Sequence, residues 1–169
     1  MLFMNEKKLA DAAAEAVAAL KQKNLKFAVA ESCTGGLLSK IITDVSGASA
    51  VYLGGVCSYA NEVKMKLLGV DAETLKEHGA VSEPVAYQMS NGIVNAVGAD
   101  IGVGITGIAG PLSDNTQKPV GLIYISVTSP LGTRVIKLTN TFTENVREQN
   151  RFSAVENALR LISKEIDKL

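Results

Sequence analysis

Apolar and polar positions recur along the chain with two spacings, one helical and one extended. From Glu6 to Lys23 the sequence is alanine-rich, and Leu9, Ala13, Val17 and Leu20 form one stripe, which predicts a first helix. Lys26 to Ala30 is a short apolar run of strand character. Gly36 to Asp44 returns to helical spacing, with Leu37, Leu38, Ile41 and Ile42 on the apolar face. Gly54 to Tyr59 is expected to be a second strand, followed by a short helix capped by Asn61 and closed by Gly69. Ser82-Glu83-Pro84 signals the start of a helix running to about Val97. Asp100 to Ile105 reads as a strand. Val120 to Thr128 and Thr133 to Thr139 flank Ser129-Pro130-Leu131-Gly132, as in an antiparallel hairpin. From Arg147 to Leu169, Phe152, Val155, Leu159 and Ile162 keep helical register. Strands and helices in this order predict an α/β fold, a three-layer α/β/α sandwich with a mixed sheet.

With 169 residues, 1–169 is expected to form one domain. Hydrophobic residues make up 47% and charged ones 20%, a globular rather than a disordered balance. The 17 basic and 17 acidic residues cancel, which argues against a nucleic-acid-coating surface. No apolar run is long enough for a membrane span and the first residues carry no signal-peptide pattern, so a cytoplasmic location is expected. Cys33 and Cys57 form neither a CxxC pair nor a disulfide framework, and His78 is the one histidine. No metal site and no cofactor are expected. Apolar positions Leu67, Leu68 and Val70 suggest a face on which two copies could pair as a homodimer.

Three polar clusters fall at the ends of strands, where open α/β sheets bind ligands. In the first, Glu31-Ser32-Cys33-Thr34 precedes Gly35-Gly36. The glycines permit close backbone approach to a ligand, and Ser32 and Thr34 supply hydroxyls. Capping of the following helix by Ser32 or Thr34 is an equally good account of these residues. The pattern is neither a nucleophile elbow nor a phosphate loop with its lysine. In the second cluster, Tyr59 ends a strand and Lys64 lies in the first turn of a helix. The helix dipole there disfavours a protonated amine, so Lys64 is either a base near a serine or a solvated neighbour of Lys66. In the third, Gly102 to Gly107 spells GxGxxG, followed by a loop to Pro111. That motif straddles a strand and lacks the acidic residue about 20 positions on, which argues against a dinucleotide site.

The stretches "AESCTGGLLSKIITDVSGAS", "YANEVKMKLLGV", "HGAVSEPV" and "GITGIAGP" with "KPVG" stand in matching order with those of the CinA C-terminal-domain family. The chain resembles that family from about Leu9 to Leu161, in its form without a preceding domain. The family includes stand-alone nicotinamide-nucleotide amidases. The resemblance implies hydrolysis of nicotinamide mononucleotide to nicotinic acid mononucleotide and ammonia, in pyridine nucleotide salvage. It implies a metal-free catalytic set of Ser32, Tyr59 and Lys64, with a small-molecule nucleotide as the partner. Glu31, Thr34, Gly35, Gly36, Thr106, Gly107 and Arg147 are the expected substrate contacts, with Arg151 as the alternative arginine. Amides near Thr34, Gly35 and Gly36 are the expected oxyanion donors, and Lys64 takes the Ser32 proton directly or through Tyr59. Cys33 is the rival nucleophile; on an extended segment it and Ser32 would face opposite sides. Two stretches depart from the family pattern. "LSDNTQ" replaces a glycine-rich loop, and Thr143-Glu144-Asn145-Val146-Arg147 is one residue longer. These departures leave a second reading, a non-catalytic nucleotide-binding module of the same fold.

Overall fold

The computed structural model describes residues 2–114 and 116–169. Helix α1 (Leu2–Gln22) leads into β1 (Phe27–Glu31), then α2 (Leu37–Thr43), β2 (Tyr52–Cys57), α3 (Asn61–Leu68), α4 (Ala72–His78), α5 (Glu83–Val97), β3 (Ile101–Gly107), β4 (Leu122–Ser129), β5 (Gly132–Thr139) and α6 (Val146–Ile166). The five strands form one mixed sheet in the order β2-β1-β3-β4-β5. β1 pairs in parallel with β2 and β3, and β3, β4 and β5 pair antiparallel in succession. The expected α/β sandwich and its hairpin are therefore present.

Strand β1 shows why the layers form. Phe27 and Val29 point to one face, packing with Leu9, Val17 and Leu20 of α1, Leu38 and Ile42 of α2, and Val155 and Leu159 of α6. Ala28 and Ala30 point to the other, against Leu68 of α3 and Val85, Met89 and Ile93 of α5. The second face is lined by small residues because α5 lies almost on the strands. A Cβ on Gly104 would stand 2.6 Å from the Ala86 carbonyl oxygen, and one on Gly102 would meet Ser90 backbone. Gly102 and Gly104 of the GxGxxG stretch are thus a packing surface for α5.

Several boundaries move. The second strand begins at Tyr52 and ends at Cys57, so Tyr59 lies in the loop beyond it. Asn61 is the first residue of α3 and Ala60 holds the cap position, while Gly69 closes the helix in a left-handed conformation as expected. Helix α4 had no counterpart in the sequence reading. It buries no residue of its own, so no apolar stripe announces it. Its signal is the Asp71 cap, whose side chain accepts from the Thr74 amide. The expected dimer face does not survive. Leu68 and Val70 are buried in the core beneath α5, leaving Leu67 as the exposed member of the three.

Candidate active site

The parallel strands β1, β2 and β3 share one carboxyl end, with Glu31 level with Cys57 and Ile105. A cleft of about 250 Å³ opens there, lined by Ser32, Tyr59, Lys64, Thr106, Gly107 and Arg147 among others. Placement beyond the strand ends follows the rule for open α/β sheets.

After Glu31 the chain leaves the sheet at once, so residues 32–36 form a turn rather than an extended segment. Gly35 and Gly36 have φ of 58° and 90°, a left-handed pair that residues with a side chain adopt only with strain. Neither Ser32 nor Thr34 caps α2. The cap is the Glu31 carboxylate, which accepts from the amides of Gly36 and Leu38 at 3.1 Å and of Ser39 at 2.8 Å, and from Ser39 Oγ at 2.6 Å. Glu31, Thr34, Gly35 and Gly36, expected as substrate contacts, are all absent from the residues that line the cleft. The carboxylate and the glycine amides are occupied within the turn itself. Gly35 N–H donates to the Ser32 carbonyl, and Gly36 N–H to Glu31. Among the described residues, the amides of Cys33 and Thr34 remain without an acceptor in this turn.

Ser32 Oγ is released from capping and meets a buried amine. Lys64, 1% exposed, places Nζ 3.0 Å from Ser32 Oγ, 2.6 Å from the Ser58 carbonyl and 3.4 Å from the Tyr59 carbonyl. Burial strips the ammonium of water and holds its pKa below the ordinary lysine value. The solvated-lysine reading therefore does not describe Lys64. Ser58 was not among the expected site residues. It acts through a backbone carbonyl, which no side-chain pattern can announce.

Cys33 is buried, and burial pushes its thiol up to about 12. A Cβ on Gly107 would lie 3.1 Å from Cys33 Sγ and 2.7 Å from Ile123, so Gly107 is a glycine for packing as well as a cleft residue. Thr106 Oγ1 donates to the Ala80 carbonyl at 2.7 Å, tying β3 to the loop before α5. Tyr59 is exposed, and its hydroxyl accepts from Arg147 at 3.0 Å. Arg147 also donates to the Gly110 carbonyl at 2.9 Å, so it bridges two walls of the cleft. Arg151 is committed elsewhere: Nε and a terminal nitrogen donate to the Thr34 carbonyl at 3.1 and 2.6 Å. Leu112, Ser113 and Asp114 bring the altered loop into the cleft, a placement the sequence reading did not assign residue by residue. No group of three or more His, Cys, Asp or Glu side chains converges among the described residues. Among the described residues, no helix is long and apolar enough to cross a membrane.

The molecule is thus an open α/β protein whose cleft pairs a serine with a buried lysine. The family model for the CinA C-terminal domain matches residues 9–166, and the chain belongs to that family. The nicotinamide-nucleotide amidohydrolase PncC of Enterobacter agglomerans is 42% identical over 160 residues, 93% of this chain and 97% of that one. A CinA-like protein of Chlorobaculum tepidum is 46% identical over 143 residues, 83% of this chain, which spans 34% of that longer relative. Among solved structures, a CinA-superfamily protein of Klebsiella pneumoniae superposes with a TM-score of 0.90 at 29% identity, covering 95% of this chain and 99% of that one. The competence/damage inducible protein CihA of Agrobacterium tumefaciens gives 0.87 at 33% identity, covering 93% and 94%.

Proposed function

We propose that the chain is a nicotinamide-nucleotide amidase, converting nicotinamide mononucleotide and water to nicotinic acid mononucleotide and ammonia in pyridine nucleotide salvage. The observation that carries this reading is the 3.0 Å contact between Ser32 Oγ and the buried Lys64 Nζ. The near full-length likeness to PncC supports the substrate.

An amide carbon is a poor electrophile, so attack needs an activated nucleophile and a stabilised oxyanion. Neutral Lys64 has two N–H bonds and a lone pair. The carbonyls of Ser58 and Tyr59 take the two N–H bonds, which leaves the lone pair for the Ser32 hydroxyl proton. Ser32 Oγ bonds to the carboxamide carbon as Lys64 takes that proton. The amide of Cys33, a residue of the cleft wall, is the oxyanion donor of this scheme. When the C–N bond breaks, Lys64 returns the proton to the leaving nitrogen and ammonia departs. Water then attacks the acyl ester with Lys64 again as base, freeing the acid and Ser32. The direct Lys64 contact favours this path over a relay through Tyr59, whose hydroxyl bonds Arg147. Arg147 in turn is the ligand for the substrate phosphate.

Ammonia release from nicotinamide mononucleotide by the purified protein tests the proposal. Turnover is expected and should persist in a strong chelator. Loss of turnover on chelation, restored by a divalent ion, would refute the metal-free scheme. The loop Leu112–Asp114 in the cleft favours the second reading, a non-catalytic nucleotide-binding module. Tight binding of the nucleotide with no ammonia released would establish that reading instead.

A further inference from the structure

Glu31 is a carboxylate with 1% exposure that the catalytic scheme leaves unused. Every bond it makes through its side chain goes to the first turn of α2, four in all. Its backbone carbonyl faces the other way and accepts from Ser58 N–H at 2.7 Å and Ser58 Oγ at 3.3 Å. Ser58 in turn gives its own carbonyl to Lys64 Nζ at 2.6 Å. One residue therefore ties together the turn that carries the nucleophile and the loop that seats the base. On the far side of the turn, Arg151 grips the Thr34 carbonyl with two donors.

We infer that Glu31 is a positioning residue for the Ser32–Lys64 pair, rather than a substrate ligand, its charge fixing the turn in the one shape that brings Ser32 Oγ to Lys64 Nζ. The inference rests on the amidase reading above. Its physical basis is the cost of the arrangement. A buried carboxylate without a cation at hand is expensive, and only charge-assisted bonds and the positive end of a helix offset that cost. Glutamine is nearly the same shape, yet whichever way its amide turns, its NH2 would face at least one backbone N–H donor and lose that bond, and the charge is gone. The turn would then relax, and a displacement of about 1 Å at a nucleophile costs on the order of 100-fold in rate.

The test compares wild type with Glu31→Gln, scored by steady-state kinetics on nicotinamide mononucleotide and by the rate at which phenylmethanesulfonyl fluoride labels Ser32. A thermal melt sets a temperature at which both proteins are folded. The expected result is a kcat lower by about 100-fold with KM within about twofold, and Ser32 labelling slowed in parallel. A fold-only role would leave kcat and labelling at wild-type values, which overturns the inference. A raised KM with kcat kept would also overturn it, because it makes Glu31 a substrate ligand. Should Glu31→Gln not fold, Ser39→Ala removes the 2.6 Å hydroxyl bond to Glu31, with Tyr52→Phe as the control for the 2.9 Å bond that Tyr52 donates to the same hydroxyl. Ser39→Ala should slow both kcat and labelling by about tenfold, the worth of one charge-assisted bond, and wild-type values in both would again refute the role. A wild-type protein that neither takes label nor releases ammonia would sink the amidase reading itself and this inference with it, an outcome distinct from equal activity in wild type and variant.

Discussion

Two groups of buried hydroxyls lie against this sheet. Between α5 and the antiparallel strands, Ser126 Oγ bonds the Ala86 carbonyl at 2.8 Å and the Ser90 hydroxyl, Ser90 meets Thr128 at 2.8 Å, and Thr128 meets Thr133 at 2.9 Å. Asn91 closes the series with a 3.0 Å bond to Thr133. At the carboxyl ends of the parallel strands, the Ser32 hydroxyl meets Lys64 at the floor of an open cleft. The first group is neutral from end to end, and its donors finish on backbone or on one another. The second contains a titratable partner whose pKa is lowered by burial, with space above it. Buried hydroxyls alone make packing; a hydroxyl with a displaced base and room for a substrate makes a candidate nucleophile.

Mutation should separate the two groups sharply. Ser32→Ala and Lys64→Arg should each lower kcat by about 10⁴-fold or more, since residues that act as a unit fail together. Arginine keeps the charge but cannot serve as a base. Activity retained in Ser32→Ala, with Cys33→Ala inactive, would move the nucleophile to the thiol. Arg147→Ala should come next. Loss of a charge-assisted contact to phosphate, about 1.5–3 kcal/mol, raises KM roughly tenfold to a hundredfold with kcat little changed. Nicotinamide riboside, which lacks the phosphate, should show almost no difference between the two proteins.

The pH profile sharpens the same contrast. The active form of Lys64 is deprotonated, and burial lowers its pKa. The rate therefore climbs about tenfold per pH unit on the acid side and levels off below the ordinary lysine value of about 10.4. A midpoint at or above that value would remove Lys64 from the role of base. The smallest effect belongs to the neutral group. Ser126→Ala should leave kcat/KM within about twofold while costing about 1–2 kcal/mol of stability. A melting temperature lower by roughly 2–4 °C per kcal/mol is the readout. A large drop in activity would show that the two groups are coupled through β3 and β4.

Much of this contrast was written in the chain. Strands β1 and β3, the β4–β5 hairpin and the long helices follow from apolar spacing, and Ser32, Tyr59, Lys64 and Arg147 do meet in one cleft. What the sequence hid was the assignment of polar groups to partners. Glu31 sits at a strand end beside glycines, where a substrate contact and a helix cap look alike. Its carboxylate bonds amides five to eight residues further on, contacts that exist only once the turn has closed. Arg151 resembled a spare anion ligand until its helix carried it to the Thr34 carbonyl, 117 residues away in sequence. The glycines of β3 spell a ligand-loop motif without being one, because a close-packed helix and a bound phosphate both demand a missing side chain.

The bridge that Arg147 makes between Tyr59 and Gly110 bears on the thermodynamics of recognition. An arginine free in solvent gives up about 2 kcal/mol of rotamer freedom when a ligand immobilises it. In this cleft two neutral acceptors already hold the guanidinium. An arriving anion exchanges one neutral partner for a charged one, and much of the ordering is complete before it arrives. Calorimetry on phosphate-bearing ligands should then report a small entropic penalty. Tyr59→Phe, which frees one end of the bridge, should increase that penalty while leaving the guanidinium charge untouched.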